Sequence, residues 1–591
     1  MHAIGNFLKI SRRGGSVYLH EVKAAFSGEA SGITLVLYLL EGSAHVFEIK
    51  LPIPQTAEEE HFVEEYFYAR VYNILSMLGG VKMDVYTGGE AYCGSLAQRL
   101  SEVFGVEEER VLRRGYAKCL NVADRMNIAL HAAPFRFALH EGAAPMGNQE
   151  KESKRGDILA GLRGAVERSM RGAFVGIDVG GTDIKLIAAR DGRIDHMREY
   201  DWNPSSFETV DEISSVVLLL ARMSRALLSF DTLPQEACAL REAVLKKGAA
   251  AEAIEEGVLR LEALAEKLTE LDGMGVSFPD VVVRDKIVGG ETHKTKGVRE
   301  HASDYEKEFA KLSILNQGLA AYCKKEGSVH ITNDGPMSAY AAAAELAHSP
   351  EAASVTEGIF AHSLGTELGA GWINGEGKVP EYPLEVYNCI IDLGNAPARS
   401  FLPADVRSLN NFNTGLPGTL QRFAGQSGAF RLAEEYYRKS APARYQELFE
   451  LGFILRTGEG MEAAIEPVDR RKAFLEHLMA QAEAGVEEAM EIFKTIGKCM
   501  AAVWLETDST LHPACKSRVL FGRFVKRRAV FALMNEGAKE ICPDILMFPA
   551  DDELAYTELM VQLRDSKQYT VAQFGQAVGA IYFAASVLQG A

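Results

Sequence analysis

The chain is 591 residues long, 47% hydrophobic and 24% charged, with apolar material for several cores and for about three to five units of ordinary domain size. Wholesale disorder, a collagen-like repeat and a single small binding module are excluded. With 63 Lys and Arg against 81 Asp and Glu, the formal charge of -18 repels phosphate backbones and anionic lipid, so neither nucleic acid nor membrane is an expected partner.

In chain order, strand-like runs at 32–39 and 44–50 alternate with amphipathic helical patterns at 58–78 and 95–104, which predicts an α/β or α+β unit. A polar, turn-rich stretch followed by a short basic helix pattern, 141–172, reads as a domain boundary. A β-rich start from Phe174 leads into helical sequence at 211–271 and a strand at 273–278. Strands at 328–332, 358–362 and 369–373 follow, the first opening into a helix at 336–347. Residues 430–506 read as almost wholly helical, including a helix pair over 474–505, and 518–521 as a strand. Recurrent strand–turn–helix units predict a mixed α/β fold with ligands at strand ends. The eight dispersed cysteines form no CxxC pair, and the N-terminus shows no signal-peptide core, so reduced thiols and a cytoplasmic location are expected.

The sharpest segment is Phe174-Val-Gly-Ile-Asp-Val-Gly-Gly-Thr-Asp-Ile-Lys185. An apolar strand delivers Asp178, and Gly180 and Gly181 allow a tight turn whose N–H groups can approach a phosphate. Thr182 adds a hydroxyl and Lys185 a positive charge; read alone, the segment is also a plain Gly-Gly hairpin. Gly275-Val-Ser-Phe-Pro279 ends a strand and precedes Thr295-Lys-Gly297, polar groups of the kind that select a polyol. Asn333-Asp334 ends a strand ahead of an Ala-rich helix. As residues it is a turn and N-cap, and as chemistry it is a carboxylate placed to take a hydroxyl proton.

These motifs, in this order, resemble the sugar-kinase branch of the actin-like, hexokinase and Hsp70 ATPase superfamily, the ROK and hexokinase types in particular. The resemblance covers about 173–591 and implies two ribonuclease-H-like domains flanking a cleft, at 173–347 and 348–591, with helical insertions. An additional N-terminal α/β or α+β domain at 1–145 has no counterpart in it. By that likeness Asp178 holds Mg²⁺, and Gly180, Gly181, Thr182 and Lys185 contact the phosphates of ATP. Ser277, Thr295, Lys296 and Asn333 bind the sugar, and Asp334 is the general base. Gly365 and Thr366 stand for the second phosphate turn, where Glu367 replaces the usual glycine. A carboxylate aimed at phosphates costs Coulomb energy, so this departure bears on ATP use.

Glu385 and Asn388 stand where ROK kinases carry a Glu and a His on the sugar, and Gly522 matches one glycine of the adenosine loop, Phe521 replacing the other. The ROK zinc cluster is missing from the sequence, so no structural zinc is expected. The implied activity is phosphorylation of a hexose-like hydroxyl in carbohydrate metabolism, glucokinase-like or hexokinase-like, by a cytoplasmic enzyme for which a homodimer is an allowed assembly. Two alternatives stand beside it: a sugar-binding protein with impaired catalysis, and a ROK-type sugar-responsive transcriptional regulator.

Overall fold

The structure is a computed structural model that describes residues 3–142, 144, 157–231, 234–289, 295–365, 368–457, 463–465, 467–513 and 515–587. It is a mixed α/β protein built on three main sheets. The first has the order β2-β1-β3-β4, from β1 (Gly32–Tyr38), β2 (Ala44–Lys50), β3 (Lys82–Tyr86) and β4 (Arg136–His140). Helix α1 (Ala57–Leu78) lies between β2 and β3; Thr56 caps it by accepting from the Glu59 amide at 3.2 Å, and three glutamates occupy its first turn. From Phe62 onward α1 is buried on nearly every face, Arg70, Asn73 and Ser76 included, so it is a core helix where its amphipathic pattern predicts a half-exposed one. The helix read at 95–104 is two short ones, Ala91–Gln98 and Leu100–Val103.

The cover of α1 comes from far along the chain. One continuous hydrophobic core runs from Ile4 through the β1–β4 unit and on through residues 360–545. Within it Arg70 of α1 pairs with Glu506 at 2.5 Å, both side chains all but inaccessible.

Helix α2 (Ile158–Ser169) follows the polar stretch, whose residues 145–156 lie outside those described. The second sheet has the order β11-β8-β5-β6-β7. Strands β5 (Ala173–Val179), β6 (Asp183–Arg190) and β7 (Arg193–Asp201) form an antiparallel meander, and β8 (Leu271–Phe278) and β11 (Cys323–Asn333) run parallel to β5. A small hairpin, β9 (Val282–Val283) and β10 (Lys286–Ile287), turns through Arg284 and Asp285, both at positive φ. The helical sequence between β7 and β8 resolves into Val210–Leu227, Gln235–Leu245 and Ala251–Leu264.

Helix α3 (Asp334–Ala347) leads to the third sheet, β13-β12-β16-β17, with β12 (Ile359–Leu364) and β13 (Leu368–Ile373) as a hairpin. Helix α4 (Gly425–Ser440) opens the helical region, which differs from the reading by a hairpin of β14 (Leu455–Thr457) and β15 (Ala463–Ile465). Gly458 and Gly460 lie in the sequence between these strands and lower its helix propensity, a signal masked by the Ala- and Glu-rich surroundings. The helix pair is present as Arg471–Glu483 and α5 (Glu487–Leu511). Then β16 (Ser517–Gly522) and β17 (Leu546–Pro549) run parallel to β12. The third sheet thus repeats the winding of the second, a hairpin followed by parallel strands.

The final helix, α6 (Val571–Val587), locks the second sheet to α3. A Cβ at Gly176 would lie 1.9 Å from the Ala577 carbonyl oxygen, and one at Gly275 1.9 Å from that of Ala580. On another face, a Cβ at Gly579 would lie 2.4 Å from the Ala341 Cβ. The small residues at 575–580 and the strand glycines are two halves of one backbone-to-backbone contact. No helix among the described residues is long and apolar enough to cross a membrane.

Candidate functional site

Three neighbouring parallel strands end at one edge of the second sheet. Asp178 of β5 pairs in register with Ser277 of β8, and Ser277 with Thr332 of β11. Two interstrand spacings put the Asp178 and Thr332 backbones roughly 10 Å apart. Beyond these positions the chain leaves the same edge as Gly180–Gly181 and as Asn333–Asp334.

The glycine turn is closed by the Gly180 amide, which donates to the Asp183 carbonyl at 2.8 Å. A Cβ on Gly180 would come within 2.7 Å of that oxygen, which explains the glycine. Trp202 braces the turn: its indole N–H donates to the Gly180 carbonyl at 3.0 Å, and its amide to that of Thr182 at 3.1 Å. The Thr182 hydroxyl donates to Asp183 at 3.2 Å, and Lys185, opposite Asp178 in register, pairs with Asp183. Burial lifts the Asp178 carboxyl to about 6 against the pull of Lys185 and the Ser277 hydroxyl; the Asp334 charge adds to the rise, so the two carboxylates sense each other.

Asn333 caps α3. Its side-chain oxygen accepts from the Gly335 amide at 2.9 Å, and its NH₂ donates to the Asp280 carbonyl at 2.9 Å. Asp334 Oδ1 accepts from the same Gly335 amide, also at 2.9 Å. The start of α3 lies directly on β13: a Cβ at Gly335 would sit 2.1 Å from the Ala370 oxygen, and one at Gly371 2.0 Å from the Gly335 carbonyl carbon. Asp334 is thereby placed beside the β12–β13 hairpin, whose Gly365 carbonyl accepts from the Gln426 amide at the start of α4 at 3.3 Å. Gly522 ends β16 opposite Leu364 with φ +111°, and a Cβ there would meet the Leu364 oxygen at 2.2 Å. Thr366 and Glu367 lie outside the described residues.

The third wall is the segment 384–390. Glu385 accepts from the Asn388 side chain at 3.0 Å, and Asn388 in turn accepts from Asn411, whose NH₂ also donates to Thr419 at 2.9 Å. Surrounding protein raises the Glu385 carboxyl to about 7; Tyr387 and Asn388 pull it down, while the charges of Asp280 and Asp334 push it up. The charges of Asp280 and Asp334 thus reach Glu385, and the next residues, Val386 and Tyr387, line a recess with Ala370 of β13, the residue that touches Gly335. Asp280 is the residue the sequence reading missed. Buried behind Ser-Phe-Pro, it could have been found only as the next carboxylate after that turn.

The remaining expected residues are more scattered. Ser277 is wholly buried, and its hydroxyl donates to Gln576 of α6 at 3.4 Å. The Thr295 hydroxyl accepts from Arg299 at 3.0 Å and meets the Tyr305 hydroxyl at 3.2 Å, on the wall of a recess shared with Trp202, Pro279 and Asp280. Lys296 turns outward to a 3.6 Å pair with Glu300, both about half exposed. Among the described residues no group of three or more His, Cys, Asp and Glu is arranged to hold a metal ion.

No family model and no curated protein matches the chain. Solved structures do. The chain is similar to ROK-family sugar kinases. A ROK glucokinase from Streptomyces griseus, in complex with glucose and AMPPNP, is 16% identical over 69% of this chain and 98% of its own, with a TM-score of 0.37. The ROK hexokinase of Thermus thermophilus is 14% identical over 64% and 91%, at 0.35. A ROK transcriptional regulator, a homolog of the E. coli MLC protein, is 12% identical over 70% and 81%, at 0.38.

Proposed function

We propose that the chain is an ATP-dependent kinase that phosphorylates a hydroxyl of a hexose-like sugar. The observation that carries this reading is that Asp334 and the Gly180–Gly181 turn leave the same edge of one sheet, on strand ends either side of β8, with the Asp334 charge felt by both Asp178 and Glu385. Phosphoryl transfer to an alcohol needs little covalent help, only a carboxylate beside the attacking hydroxyl and donors around the phosphates.

In this reading the second and third sheets are two ribonuclease-H-like halves, residues 173–347 and 348–591, and the acceptor lies in the cleft between them. Asp334 accepts the proton of the attacking hydroxyl. Glu385 and Asn333 orient the sugar, with Asn388 and Thr295 holding the groups that touch it, while Ser277 supports Asp178 from behind. The Gly180–Gly181–Thr182 turn, Lys185 and the Gly365 turn receive the phosphates, and Gly522 borders the adenosine. Asp178, one carboxylate beside a phosphate-sized turn, fits a magnesium ion, which takes one or two carboxylates together with phosphate oxygens and water, and which neutralises phosphate charge when bound. Closure of the cleft keeps water from competing as acceptor.

The test is ADP release from ATP across a panel of hexoses, N-acetylhexosamines and hexitols. Release that depends on one acceptor class is the expected result. ADP release indifferent to every acceptor, or none at all, overturns the reading.

A further inference from the structure

Residues 3–142 read as an appendage, yet they are built into the acceptor side of the cleft. The last turn of α1 leaves carbonyls without helical partners, and two of these take their hydrogen bonds from the acceptor segment. Ser76 accepts from the Glu385 amide at 3.0 Å, and Met77 from the Leu384 amide at 3.1 Å. One turn earlier Asn73, wholly buried, donates to the Ile390 carbonyl at 2.9 Å and accepts from the Ile390 amide at 2.8 Å. Segment 384–390 is thus gripped at both ends by one helix. The grip holds Leu384 in a left-handed conformation, φ +52°, which a leucine keeps only under constraint. Arg70, on the same helix, is fastened to Glu506 of α5. The unit also reaches the short helix Tyr305–Phe309, where Arg125 and Arg110 meet Glu306 at 2.9 and 3.3 Å.

We infer that the C-terminal end of α1, from Asn73 on, is part of the acceptor site and that Asn73 is a positioning residue, which sets Glu385 by clasping Ile390. The inference rests on the sugar-kinase reading for its kinetic consequence, though not for the clasp itself. Asn73→Ala leaves both Ile390 backbone groups buried without partners, a loss felt by the segment that orients the sugar.

Two measurements test it in the full-length protein. In steady-state kinetics, Asn73→Ala raises the acceptor KM about tenfold to a hundredfold, with kcat and the ATP KM within about threefold. The double variant with Glu385→Gln is then no worse than Glu385→Gln alone, because Asn73 acts through Glu385. Val63→Ala, a core truncation elsewhere on α1, leaves the acceptor KM unchanged and controls for lost stability. In hydrogen exchange, the wild-type amides of Leu384, Glu385 and Ile390 are protected like core amides, and Asn73→Ala, not Val63→Ala, releases them.

Additive kinetic effects in an active enzyme overturn the inference and leave the kinase reading intact. Free exchange of those amides in the wild type overturns it whatever the activity or the folding of the variant. A wild type inert toward every acceptor removes the kinase reading, and exchange alone then decides the clasp.

Discussion

Asp334→Asn isolates the chemistry of the site from its architecture. The Gly335 amide is served twice, by Asn333 Oδ1 and by Asp334 Oδ1, each at 2.9 Å. An asparagine at 334 keeps an oxygen in the same place, the N-cap at 333 is untouched, and the tight Gly335–Ala370 contact involves backbone only. The fold is therefore expected to survive with a melting shift of a few degrees. What is lost is a proton acceptor, worth about two to four decades in kcat/KM, or about 3–5 kcal/mol of transition-state stabilisation. The assay is coupled ADP release at saturating ATP against varied acceptor, with the ATP KM as control. A variant within tenfold of wild type, or one whose loss falls wholly in the ATP KM, refutes Asp334 as the base.

Glu345, 1% exposed and pushed by burial to about 7, accepts from the Tyr556 and Thr557 amides at 2.7 and 2.9 Å. A carboxyl raised on folding lends stability below its unfolded value near 4.3 and loses it as pH rises through about 7, here by about 3 kcal/mol. Denaturation of wild type against Glu345→Gln at pH 5 and 8 should reveal that difference in slope, and parallel pH profiles would contradict it. Asp178, raised to about 6, must be ionised to hold magnesium. Apparent magnesium affinity should rise roughly tenfold between pH 5 and 7, and a flat titration argues against Asp178 as the ligand. Gly275→Ala drives a methyl into the Ala580 carbonyl, 1.9 Å from the new Cβ. It should cost about 3 kcal/mol or more, and a melting temperature equal to wild type would show that α6 yields there.

Local chemistry was legible where residue types leave few choices. The apolar run to Asp178 followed by two glycines gives a strand and a tight hairpin, and Asn333 before an Ala-rich stretch gives a strand end and a helix cap; both stand as read. Long-range partners were not legible. Nothing in Ser-Phe-Pro reveals that the Ser277 hydroxyl is buried between Asp178 and Gln576, the latter 299 positions away, nor does Thr-Lys-Gly reveal that Lys296 turns to Glu300. Strands β3 and β7 escaped because their alternation is interrupted by charges, Asp84 and Arg198, that only the fold buries, and β17 because it is four residues long and ends in a proline. The Asn73 clasp carries no local signal, since an asparagine inside an amphipathic helix reads as surface.

The Arg70–Glu506 pair joins residues 436 positions apart. On a ribosome adding about 5–20 residues per second, α1 emerges roughly 20–90 s before the helix that covers it. Its aromatic residues find early partners in Phe7, Phe26 and Tyr116, but through that interval the face that carries Arg70 lacks its cover, so newly made chains present a sticky surface until translation is nearly complete. Slow codons or a truncated transcript would therefore show first as aggregation nucleated at the N-terminus, and a trapping chaperone as the remedy.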